Sequence, residues 1–421
     1  MRRPAYVSPR CFARLVTALT LGLMVSACSQ LPPSLGGTKP PAQAPVQTPP
    51  PAAKIEAPPQ VQAPPPAPAA APVTPPLPNR SGTAAILLPL SGPQAPLGAA
   101  LLNAAQMALF EVADDSFTLV PLDTKGTPEG AATAAQAAVA QHAEIILGPL
   151  FSAEAKAVGS ALGPLHMPVV SFTSDRAAVG NGVYSLGFLP GPQAVQVAAF
   201  ARGQGKTRLA VLAPSNEDGR RIAEFLQNDA QTQPTITVSQ YYDPAASDIA
   251  ATVKRMIRLD PRTGDVGFDA LLLLESGQRL RNFAAMLSVQ GVDPAKVKLL
   301  GTMLWTDANP GAEAALNGAW FAAPPAAGHG DFEARYIRAF GTRPPRIASL
   351  GYDAAALAAV LARKSPHDFS DAALLNPVGF AGVDGIFRLK PDGTAERGYA
   401  IDEVQQGGTP KEIQAAPVAF Q

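Results

Sequence analysis

The sequence predicts an α/β protein of two wound lobes, carried behind an export signal and a long proline-rich arm. Three observations predict it. From Ser81 onward, short apolar runs alternate with segments of helical period, in two successive series. Proline is crowded ahead of that region, at eighteen of the fifty residues from 31 to 80. Both cysteines, Cys11 and Cys28, also precede it, so the globular part has no internal disulfide and no thiolate metal site.

Composition narrows the function classes. The chain has 421 residues, room for two or three ordinary domains. Lys+Arg and Asp+Glu balance at 33 each, whereas a nucleic-acid binder carries a basic excess. The four histidines (His142, His166, His329, His367) share no ligand spacing. No metal or cofactor is expected.

Residues 1–14 carry Arg2, Arg3, Arg10 and Arg14 and no acid, and an apolar run from Leu15 to Val25 follows. That run is too short to span a bilayer and has the length of a signal-peptide core. It ends in Val25-Ser26-Ala27-Cys28, which resembles the lipobox of bacterial lipoprotein precursors. The resemblance implies a signal peptide over 1–27 and acylation of Cys28. Ser29 in place of aspartate implies the outer membrane in related sorting systems. Residues 28–80 then read as a disordered tether, because proline lacks the amide donor and fixes its own φ. At ~3 Å per residue its reach is at most ~150 Å.

The globular part begins with AAILLPL (84–90), a nearly continuous apolar run of the kind found in strands buried on both faces. The helix 97–113 follows, with Leu97, Leu101, Ala105 and Leu109 on one face. Next come strand 117–123, helix 128–141, strand 144–150, helix 152–162 and strand 168–172. Crossovers of this length require a parallel sheet flanked by helices. A second series starts after Pro190: a helix, strand 207–214, a helix opening at Gly219, strand 235–242, a helix from Ile249, strand 268–276, a helix from Arg279, and strand 297–305. The remainder carries helices at 329–340 and 349–363 and a glycine-rich strand pair, GIFRL and GYAIDEV. It is expected to return and finish both lobes: 81–191 with 319–379, and 192–318 with 380–421.

Several phrases carry a family resemblance: ILLPLSGPQAPLG, DTKGTPEGAATAAQ, EIILGPLFSAEAKAV, PVVSFTSD, FEARYIRAFGTRPPRIASLGYDAAALAAV and GVDGIFRLKPDGTAERG. In this order they resemble the leucine-binding-protein family of type I periplasmic binding proteins, over nearly all of residues 82–421. With the lipobox and the arm, the chain looks most like the proteobacterial lipoproteins described as penicillin-binding-protein activators. The resemblance implies two Rossmann-like lobes joined by crossing strands, with a ligand cleft at the strand ends. Loops there sit beside helix N-termini, whose free amides favour an anion.

By alignment of the phrases, Ser152 and Thr173 match positions that hold a ligand carboxylate, and Ser91 and Ser174 lie in neighbouring loops. Each also suits an ordinary cap or loop. In the second lobe the corresponding loops carry Ser215, Asn216, Asp218, Glu275, Ser276, Met303, Trp305 and Asp307. Glu275 and Asp307 are the candidates for an ammonium group. The transport receptors usually place a tyrosine after the strand equivalent to 207–214, and SNEDGRR has none. Signatures of catalysis are missing where they would be sought. GQGKT (203–207) lacks the earlier glycine of a phosphate loop, and no GxSxG, HExxH or GxGxxG after the first strand occurs.

Three functions compete. One is an anchored regulator that presents its domain to a penicillin-binding protein or other peptidoglycan synthase. Another is a receptor for a small amino acid, serving a transporter and closing at its hinge. The third, a hydrolase, has the weakest support.

Overall fold

The computed structural model describes residues 81–228, 235–246, 248–257 and 260–420. The expected signal segment, Cys28 and the proline-rich tether lie outside the described residues.

β1 (Gly82–Leu88) is buried at all seven positions. After it come α1 (Ala95–Val112), β2 (Phe117–Asp123), α2 (Pro128–Ala140), β3 (Ile145–Leu147), α3 (Ser152–Leu162), β4 (Val169–Ser171) and β5 (Val183–Ser185). The strands form one parallel sheet in the order β2-β1-β3-β4-β5. Local chemistry sets the boundaries. Thr127 starts α2 by accepting the Gly130 N–H on its Oγ1 at 3.0 Å, with Pro128 in the first turn.

The second lobe runs α4 (Pro190–Gly203), β6 (Arg208–Pro214), α5 (Glu217–Asn228), β7 (Thr235–Tyr242), α6 (Ala250–Met256), β8 (Ala270–Leu273), α7 (Gly277–Val289), β9 (Lys298–Gly301) and β10 (Trp320–Ala323). The chain then forms α8 (Ala326–Phe340), α9 (Ala348–Lys364), α10 (Asp371–Leu374), β11 (Phe380–Gly382), β12 (Gly385–Leu389), β13 (Ala395–Arg397), β14 (Ala400–Glu403) and β15 (Lys411–Gln414). The second sheet has the order β15-β14-β10-β9-β8-β6-β7. It is parallel from β10 to β7, with β14 and β15 antiparallel at its edge. The two sheets are separate, each with helices packed on it.

α8 and α9 return to the first lobe. Phe332 and Tyr336 of α8 pack with Ala100, Ala104 and Met107 of α1. α9 lies so close to α1 that a Cβ on Gly351 would stand 2.3 Å from the Leu101 carbonyl oxygen. Only glycine permits that approach. Gly351→Ala is expected to cost about 3 kcal/mol through overpacking, read as a lowered urea midpoint with unchanged slope.

Four sequence expectations are corrected. Strand Trp320–Ala323, assigned to lobe one through the 319 boundary, belongs to the second sheet, because it pairs with β9 and β14. GIFRL and GYAIDEV are not a pair: β12 joins β11 and β13 in a three-stranded antiparallel sheet, and β14 joins the second sheet, so 380–397, assigned to the second lobe, instead packs into the core of the first through Phe387, Leu389 and Ala395. The strand expected over 297–305 stops at Gly301, since Met303–Trp305 coils into a 3-10 turn. β5 was not foreseen. It has three residues and follows Gly180, Asn181 and Gly182, all with positive φ, so its turn residues outweigh its apolar signal.

The chain crosses between the lobes three times, at residues 186–189, 324–325 and 398–399.

Candidate functional site

The loops at the C-terminal ends of the parallel strands in both lobes meet in a cleft of about 860 Å³. The first lobe contributes Phe151 and Ser152 at the start of α3, and Phe172, Thr173, Ser174 and Asp175 after β4. The second contributes Pro214 and Asp218 beside α5, Leu274, Ser276 and Gly277 at α7, and Thr302 to Leu304, Asp307 and Ala308 after β9. Phe188 comes from the first crossing, Pro190 and Gln193 from the start of α4, and Arg346 from the segment before α9. Leu97, Leu150, Ile222, Ile347 and Leu350 also line the cleft, so apolar side chains form more of its lining than polar ones.

Ser152, Thr173, Ser174 and Asp307 line this cleft. Ser152 is not the helix cap. Phe151 takes that position, and its N–H donates to Glu154 Oε2 at 3.2 Å. The Ser152 hydroxyl is left to donate to Asp175 Oδ2. Thr173 is buried, and its Oγ1 accepts the Asp175 N–H at 3.1 Å.

Ser91 and Glu275 are outside the lining, against expectation. Ser91 is exposed, and its N–H is turned to Asp123 Oδ1 at 3.2 Å. Glu275 is drawn inward. It accepts the Tyr242 hydroxyl at 2.6 Å and its own lobe's Ser276 N–H at 3.0 Å, and it lies 3.6 Å from Arg279 Nε. Both of its oxygens are engaged within its own lobe. Ser276 lines the cleft in its place.

Sequence reasoning missed Asp175 and Arg221. Arg221, on α5 of the second lobe, donates from Nη1 to Asp175 Oδ1 at 3.0 Å, across to the first lobe. Lys156 Nζ lies 3.7 Å from the same carboxylate. Burial acts to raise the Asp175 pKa, but hydrogen bonds from Ser152 and Ala177, with Lys156 and Arg221, hold it below the usual carboxylate range. The carboxylate is thus ionised at neutral pH and links the lobes. Both residues stand in phrases already noted, PVVSFTSD and SNEDGRR, but nothing in their spacing pairs positions 46 residues apart.

The floor is tied to the crossings. Gln193 Oε1 accepts the Met303 N–H at 2.9 Å, and its Nε2 donates to the Leu189 carbonyl at 3.1 Å. Among the described residues no group of His, Cys, Asp and Glu is arranged to hold a metal ion.

Two parallel sheets, three crossings and a cleft between strand ends define a hinged binding module. The chain belongs to the periplasmic binding protein family, whose model matches residues 83–409, and the family implies a periplasmic location. No curated protein matches the chain. Among solved structures it is similar to a protein of Rhodospirillum rubrum described as a branched-chain amino-acid ABC transporter, with TM-score 0.68 and 20% identity over 79% of this chain and 99% of that one. A leucine-binding protein from Thermotoga maritima aligns with TM-score 0.55 and 20% identity over 80% and 98%. A branched-chain amino-acid substrate-binding protein from Streptococcus pneumoniae, solved with isoleucine, aligns with TM-score 0.56 and 16% identity over 80% and 99%. These likenesses establish the fold.

Proposed function

We propose that this protein is an envelope lipoprotein, held by lipid on Cys28 to the outer membrane, that regulates a peptidoglycan synthase by contact, as a penicillin-binding-protein activator. Asp175 carries the reading. In a solute receptor the closed form is stabilised by ligand contacts to both lobes. Here a side chain of the protein occupies the Ser152 hydroxyl and reaches Arg221 on the other lobe. A module that supplies its own bridge is biased toward this arrangement without solute and is free to act through its outer surface.

Immobilised protein mixed with solubilised envelope is expected to retain a protein that reacts with labelled penicillin. Retention of a permease without any penicillin-reactive protein would overturn the reading. The bridge is partly exposed, at 38% for Arg221 and 26% for Asp175, so solvent screens it. The exchange R221A is therefore expected to shift the lobes toward the open arrangement without unfolding either, measured by distance distributions between spin labels on the two lobes.

A second reading, the receptor of an amino-acid transporter, is favoured by the size of the cleft, the Thr173 hydroxyl in its wall, and the leucine- and isoleucine-binding proteins of like fold. Titration calorimetry with leucine, isoleucine and other amino acids separates the two. Saturable heat supports the receptor; none for any amino acid removes it.

A further inference from the structure

The three crossings converge on one buried group of charged side chains. Arg397 ends β13, just before the third crossing, and its side chain is 1% exposed. Its Nη2 donates to the Leu186 carbonyl, in the first crossing, at 2.7 Å. Its guanidinium lies 4.7 Å from the ring centre of Phe188 and 5.3 Å from that of Phe387. Nη1 stands 4.0 Å from Asp353 Oδ2, on α9. Asp384, fully buried in the β11–β12 turn, faces His329 Nδ1 of α8 at 3.1 Å and accepts from Arg346 Nη2 at 3.4 Å. The next residue, Gly385, abuts the second crossing, since a Cβ there would stand 3.1 Å from Pro325.

The two carboxylates have unlike surroundings. Burial acts to raise the Asp384 pKa, but His329 and Arg346 together hold it low. Asp353 has one hydrogen bond, accepting the Val383 N–H on Oδ1 at 2.7 Å. Its Oδ2, like Asp384 Oδ2, Arg346 Nε, and Nε and Nη1 of Arg397, has no hydrogen-bond partner among the described residues. Burial dominates there and pushes Asp353 up to about 7, against the pull of Arg397 and with the charge of Asp384 adding. An apolar groove along α9 starts at Asp353 and carries Lys364 and Asp368 at its far end.

We propose that Asp353, Arg397 and Asp384 form a proton-operated clasp on the hinge, packed while Asp353 holds a proton and released when that proton passes to bulk water. The direction follows from linkage. Any arrangement that wets the Asp353 carboxyl returns its pKa toward the ordinary 3.8. Rising pH therefore draws the hinge toward that arrangement, between about pH 4 and about pH 7. The unfolded chain wets it too, so the same group lowers global stability across the same window. The clasp goes beyond the proposed contact function, since it concerns how the lobes are held and not what they meet.

Amide exchange on the full chain, referenced to intrinsic rates, tests it. Protection of segments 184–189, 382–386 and 394–400 is expected to fall roughly tenfold between about pH 6 and about pH 8, with β1 and β6 unchanged. In D353N, whose side chain still accepts from Val383 but cannot ionise, that dependence disappears. Equal protection of the wild-type crossings at both pH values, or a D353N variant that keeps the dependence, overturns the proposal. Carboxyl-carbon NMR of the wild type needs no variant. The signal assigned to Asp353, kept apart from that of Asp402, which burial also raises to about 6, supports the clasp if it titrates near neutrality and overturns it if it titrates below about pH 5.

Discussion

Replacing Arg397 by methionine is expected to destabilise the protein by about 3–5 kcal/mol above neutrality, where Asp353 is ionised and the exchange leaves its buried charge uncompensated. Methionine keeps the length and the apolar stem between Phe188 and Phe387, so the loss isolates charge and hydrogen bonding from packing. The Leu186 carbonyl loses its 2.7 Å donor, and Asp353 loses its counter-charge. The cost rises with pH, since below neutrality Asp353 can take up a proton and above it cannot. Urea unfolding at about pH 6 and about pH 8 measures both quantities. The double exchange R397M/D353N is expected to recover much of the loss, because no unpaired charge then remains in the pair. A single-variant loss under about 1 kcal/mol would mean that the guanidinium is solvated in the native state.

The second large effect is expected at Trp305. Its side chain is fully buried in the second lobe, 5.9 Å from Phe321 between ring centres. Gly301 lies against it so tightly that a Cβ there would stand 2.2 Å from the indole Cε2. Trp305→Ala opens a cavity and is expected to cost about 3–5 kcal/mol. Trp305→Phe is expected to cost far less, under about 1.5 kcal/mol, because indole Nε1 has no hydrogen-bond partner among the described residues and only ring volume is lost. Thermal and urea unfolding of the two variants read the difference. The alanine variant should also disturb the cleft, since Thr302, Met303 and Asp307 of its wall flank this anchor. A phenylalanine variant as unstable as the alanine one would show that Nε1 makes an essential contact.

Much of the fold was legible because its signals are local. β2, α3 and β7 occupy the residue ranges read from period and turn chemistry, 117–123, 152–162 and 235–242. β5 was not legible, because three strand residues after a run of left-handed turn residues carry too little pattern. The cleft was half legible. Loops after parallel strands can be found by counting elements, which placed Ser152, Thr173, Ser174 and Asp307 at its wall. Whether a loop side chain faces the cleft depends on its neighbours. Glu275 turned inward because Tyr242 and Arg279, on other elements, compete for it.

By itself, then, the sequence determined two series of buried parallel strands with helices between them, since apolar period and capping act over a few residues and need no distant partner. Only the tertiary structure decided which charges meet. Asp175 with Arg221, and Asp353 with Arg397, come from elements remote in the chain, and their pairing arises from how the lobes pack and cross. Coulombic attraction and desolvation depend on distance in space and leave no periodic trace along the sequence.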